Sequence, residues 1–121
     1  MQTRSRRLTT RPEGEPSPAA IRVHWCHLSG RMETADNRRV ATRYPRGYND
    51  YLGLVPKDKP PPSLGSVSTT EVFQNLWVAN CFAGDSLDGT LACLRQVSAF
   101  CFAIRRIRKE TPEVWLPRFG H

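Results

Sequence analysis

Two groups of side chains in this sequence have types and spacings suited to chemistry. Between Arg31 and Tyr51, Arg38, Arg39, Arg43 and Arg46 alternate with Tyr44, Tyr48 and Tyr51. Guanidinium groups neutralise phosphate and tyrosine rings stack on unpaired bases, so the mixture points to an anionic partner, with single-stranded nucleic acid as its strict form. The second group is His24, Cys26 and His27, whose imidazoles and thiol are zinc-like donors. A closed zinc site needs further ligands in close pairs. Cys81, Cys93 and Cys101 are spaced by 12 and 8 residues, so no knuckle forms. Cys93 and Cys101 fall on one predicted helix about 12 Å apart along its axis, too far to bridge each other. The thiols read as buried groups on apolar faces. No metal is expected, and no residue pattern asks for a cofactor.

Two four-residue blocks, Gly84-Asp85-Ser86-Leu87 and Gly47-Tyr48-Asn49-Asp50, resemble blocks of the GDSL (SGNH) hydrolases. The resemblance implies Ser86 as nucleophile, with Gly84 and Asn49 holding an oxyanion. It covers eight residues, the blocks stand in reversed order, and no Asp-x-x-His follows. Asp85, Ser86 and Asp88 serve better as turn and cap residues, so no catalytic residue and no enzyme activity are expected.

The elements that must hold these residues follow from patterning. Ile21–Leu28 is apolar and aromatic enough for one strand, without a hairpin partner nearby. Residues 29–55 are polar, Arg-rich and punctuated by Gly and Pro, which predicts coil with a helical turn near Glu33–Arg39. Ser68-Thr69-Thr70-Glu71 has capping-box form and leads into Val72, Phe73, Leu76, Trp77, Asn80 and Ala83 at helical spacing. Asp88 can cap a second helix that Thr111-Pro112 ends. Within it Cys93, Val97, Phe100, Ile104 and Ile107 step by 4, 3, 4 and 3 into one apolar seam. The fold expected is a small α-helical hairpin in the C-terminal half, following a largely disordered, basic N-terminal half. The alternative is a small α+β fold in which Leu76–Phe82 and Val97–Ile104 are strands.

The chain has 121 residues and a net charge of +7, with 18 Lys and Arg against 11 Asp and Glu. Fifteen of the 18 are arginines, a bias that GC-rich codons share in producing. The charge divides into +6 over residues 1–62, −3 over 63–94 and +5 over 95–109. The run Lys57 to Ser63, with Pro60-Pro61-Pro62, sets a boundary. This gives an arm and spacer (1–63), a hairpin (64–110) and a tail (111–121). A hairpin of that size is marginal alone, so its seam asks for a protein partner or a second copy. The function expected is a non-enzymatic accessory protein, with a protein partner on the seam and an anionic one on the Arg-rich half. A nucleic-acid-binding protein, and a chain without a defined biochemical role, are the alternatives. The arm lacks an apolar signal core, which places the chain inside the cell, with organelle import possible. Integral membrane insertion is not expected.

Overall fold

The structure, a computed structural model, describes residues 19–26, 34–84 and 86–117. The expectations for the N-terminal arm, and those resting on His27 and Asp85, lie outside these residues. The elements run β1 (Ala20–Trp25), α1 (Ala35–Arg43), α2 (Pro45–Leu54), β2 (Val67–Phe73), β3 (Leu76–Cys81), α3 (Leu87–Arg108) and β4 (Glu113–Trp115). The four strands form one mixed sheet in the order β2-β3-β1-β4. β3 and β4 both run parallel to β1, and β2 is antiparallel to β3.

The result is an α+β fold of three helices on a four-stranded sheet, which corrects the expected helical hairpin. The capping-box segment is β2, and the apolar run after it is β3. Its apolar residues lie on both faces of a central strand, so they fit a helical template as readily as an alternating one. The hairpin between them turns at Asn75, whose positive φ of 62° suits an asparagine. The Glu71 carboxylate accepts from the Asn75 backbone N–H at 3.0 Å, so it supports a β-turn instead of a helix start.

The N-terminal half is not a disordered arm over its described length. β1 lies at the centre of the sheet, paired from Ala20↔Leu76 to Trp25↔Cys81, so the two halves share a core across the proline run. α1 begins at Thr34, whose hydroxyl accepts from the Asn37 N–H at 3.1 Å. α2 begins with Pro45, whose missing N–H costs nothing at a first helical position.

Alternation along the strands splits the core in two. One face buries Ala20, Leu76, Val78 and Phe82 against Val40 of α1 and Tyr44, Tyr48 and Tyr51 of α2. The other buries Ile21, Val23, Trp77, Ala79 and Cys81 against Cys93, Val97 and Ile104 of α3. α3 is long and apolar enough to cross a membrane by length and composition, but one of its faces is packed on the sheet.

Candidate functional site at the carboxyl edge of the parallel strands

Because β1, β3 and β4 are parallel, their carboxyl ends emerge along one edge of the sheet. The chain leaves β1 for α1 on one face and leaves the adjacent β3 for α3 on the opposite face. Neighbouring strands whose connections diverge in this way leave a crevice between their exits, where open α/β sheets bind ligands. At these exits Cys26, Phe82 and Ala83 are buried, Trp25 is packed against the α3 side of the core and Gly84 is exposed.

The turn Phe82-Ala83-Gly84 is tight, and Leu64 fills the space a side chain at Gly84 would need. Gly84 has φ +61°, and the chain enters α3 two residues later. Ser86 is the N-cap, its Oγ accepting from the Gly89 N–H at 2.8 Å. Gly89 packs directly on the strand exit, since a Cβ there would lie 2.3 Å from the Ala83 carbonyl oxygen. The spacing Gly84-x-Ser86-x-x-Gly89 thus gives a tight turn, a cap and a close helix–strand contact, at a helix end that carries partial positive charge. Asp88 sets a carboxylate in that first turn. Ser86 is a cap residue here, as the sequence predicts against the hydrolase resemblance.

Beneath β1 a buried polar network ties the edge together. His24 is fully buried. Its Nδ1 donates to Asn80 Oδ1 at 2.8 Å, an orientation fixed by Asn80 Nδ2 donating to the Gly47 carbonyl at 3.2 Å. Its Nε2 lies 2.6 Å from the side-chain amide of Asn37. Tyr51 meets the imidazole edge-on at 5.3 Å between centroids. Two residues along β1, Arg22 pairs with Asp36 of α1 at 2.7 Å and donates to the Val23 carbonyl at 2.7 Å. One strand, two helices and β3 are therefore locked by side-chain bonds immediately behind the crevice.

The Cys26 thiol sits 3.4 Å from His24 Nδ1, which has the form of a nucleophile–base pair. Burial pushes the thiol well above its ordinary range, and the Nδ1 proton is already given to Asn80. Across the sheet, Cys81 gives its S–H to Cys93, which pushes Cys81 up and holds Cys93 down. No cluster of three or more metal-ligating side chains occurs among the described residues.

The residues singled out from the sequence are redistributed. Tyr44, Tyr48 and Tyr51 are buried between the helices and the sheet, so these rings are not presented for stacking on a base. Arg38, Arg39, Arg43 and Arg46 are exposed on α1 and α2, and Arg46 donates to the Glu71 carbonyl at 3.3 Å. Of the seam, Cys93, Val97 and Ile104 are buried against this chain's own sheet, and Phe100 meets Trp77 edge-on at 5.7 Å. Ile107 is exposed. The carboxyl-edge residues escaped the sequence reading because a switch point is a property of strand order, which local patterning does not carry.

The fold is macrodomain-like. It is similar to the structure of a macrodomain protein from Streptomyces coelicolor, with a TM-score of 0.65 and 18% identity, over 93% of this chain and 78% of that one. It is also similar to a protein of unknown function from Bacteroides thetaiotaomicron, with a TM-score of 0.56 and 15% identity, over 91% and 97% of the two chains. A further protein from Bacteroides thetaiotaomicron is similar at a TM-score of 0.56 and 16% identity, over 91% and 99%. No family model matches the sequence, and no curated protein does. At these identities the likeness is one of fold.

Proposed function

We propose that the chain binds a nucleotide of the ADP-ribose class in the crevice between the exits of β1 and β3. The observation that carries this reading is the switch point itself, with α1 and α3 leaving adjacent parallel strands to opposite faces. The fold adds to it, since macrodomains as a class bind ADP-ribose or hydrolyse its conjugates. The chemistry of the edge is compatible. The Gly84 turn is exposed, and the start of α3 carries partial positive charge that favours an anion. A ligand with two phosphates also suits a chain of net charge +7. The expectation of a non-enzymatic protein is recast accordingly. Cys26 is not activated as a nucleophile, so binding is the primary reading, and hydrolysis becomes a quantity to assay.

The test is thermal stability and calorimetry of the full chain with ADP-ribose, ADP and ribose 5-phosphate in parallel. ADP-ribose at about 100 times its dissociation constant stabilises a one-site protein by about 2.7 kcal/mol. Gly84→Val strains the turn and should weaken binding at least tenfold while leaving a folded chain. Release of ADP-ribose from a modified protein substrate would add hydrolysis to the reading. No shift at millimolar ADP-ribose overturns it.

A further inference from the structure

α3 carries a second apolar line, separate from the seam packed on the sheet. Leu87, Leu91 and Phe102 are 71%, 42% and 59% exposed. At 3.6 residues per turn they fall, with Ser98, within about 60° of one another on the outward side. Exposed basic residues, Arg95, Arg105, Arg106 and Lys109, flank this line or follow it. Asp88, at the opposite end, is the only acidic residue of the helix. Arg108 is engaged elsewhere, 5.0 Å over the Trp77 ring.

We propose that the outward face of α3 docks on the same face of a second copy, with the two helices antiparallel. The spacing of the residues supports a two-fold arrangement. The midpoint of Leu91 and Phe102 falls between residues 96 and 97, and the midpoint of Asp88 and Arg105 is the same point. Turning one helix end over end about it sets Leu91 against Phe102 of the other copy and Asp88 against the other copy's Arg105–Arg106 pair. This happens twice, because the contact is isologous. Small residues, Ser98 and Ala99, lie near the crossing and permit close approach. Charge complementarity favours this occupant over the rest of the chain. The segments outside the described residues are net basic and offer few large apolar side chains, so they match neither the arginines nor the leucines.

The apolar line from Leu87 to Phe102 is about 22 Å long and about 10 Å wide, below the size of a stable interface, so association is expected to be weak and transient, on the order of 100 µM. Sedimentation equilibrium of the full chain from about 10 to 500 µM tests it. The average mass should rise from that of one chain, 13.7 kDa, towards twice that value. Phe102→Glu, at an exposed position, should keep the fold by circular dichroism and remain monomeric throughout. Asp88→Arg should weaken association at least fivefold, as should Arg105→Asp with Arg106→Asp, and combining all three changes should restore it. A chain monomeric at 500 µM overturns the proposal, including one that sediments with anionic vesicles instead. So does a dimer that Phe102→Glu leaves intact, or a charge swap that restores nothing. None of these outcomes depends on the nucleotide reading.

Discussion

Replacing His24 with leucine isolates the contribution of the buried network behind the crevice. The change preserves approximate volume and apolar contact with Tyr51 but removes both ring nitrogens. Asn80 Oδ1 then loses the donor 2.8 Å away and keeps only the weak Cys26 S–H at 3.7 Å, and the Asn37 amide loses its contact at 2.6 Å. Neither amide can turn to water, because both residues are fully buried. A buried polar group stripped of its main partner costs about 1–3 kcal/mol, and this falls chiefly on Asn80 Oδ1, reduced by the more favourable burial of leucine. A loss of about 2 kcal/mol is expected, a large share of the stability of any single domain. In urea melts the midpoint should fall by roughly 1–2 M. Asn80→Leu should cost a similar amount, and the double variant clearly less than the sum, with a coupling of about 1–2 kcal/mol. If His24→Leu costs less than 1 kcal/mol, or if the two changes add, His24 does not bond Asn80 in the folded protein.

Two further perturbations probe other parts of the structure. Ile104→Ala empties a site buried between α3 and the sheet and should cost about 2–4 kcal/mol, whereas Phe102→Ala, two residues away on the outward face, should stay within about 0.5. Equal losses in equilibrium unfolding would mean that α3 is rotated from the orientation described. Stability should also fall in alkali. Cys26, raised by burial, and Cys81, raised chiefly by its bond to Cys93, keep their protons in the folded chain. Unfolded thiols ionise near pH 9.0, so the unfolded state releases protons first, and stability present below pH 9 is lost as pH rises above it. Cys93, held down by Cys81, ionises first in the folded chain and so acts only below pH 9, where its contribution rises with pH. Above pH 9 the slope is therefore that of two groups, roughly 2.7 kcal/mol per pH unit. Cys26→Ala should roughly halve it, and urea melts unchanged between pH 8 and 10 would contradict the burial of these thiols.

α3 was legible because its signals are local. The apolar steps from Cys93 to Ile104, a polar cap before Gly89 and the stop at Thr111-Pro112 all lie within one stretch, and the helix forms between them. The cap is Ser86 and not Asp88, a shift of two residues that leaves Asp88 in the first turn. β1 was legible as a strand from composition alone, but its partners were not. They are β3 and β4, more than fifty and ninety residues away and both parallel, so no turn chemistry announces either pairing.

The tyrosines illustrate how a correct pattern can support the wrong chemistry. Val40, Tyr44, Tyr48, Tyr51 and Val55 step by 4, 4, 3 and 4, the apolar face of helical structure, and all five are buried in one cluster. Arginines between them occupy the solvent side of the same turns, so the alternation that suggests stacking on nucleic acid is the ordinary amphipathicity of α1 and α2. What separates the readings is whether a sheet lies beneath. That sheet exists only because β1, in the half expected to be unstructured, crosses to pair with β3. The same pairing makes β1 and β3 adjacent, sends α1 and α3 to opposite faces and so opens the crevice. Burial of the tyrosines and the candidate ligand site therefore depend on one long-range contact. His24 reports on that contact directly, because its Nδ1 bond to Asn80 joins those two strands.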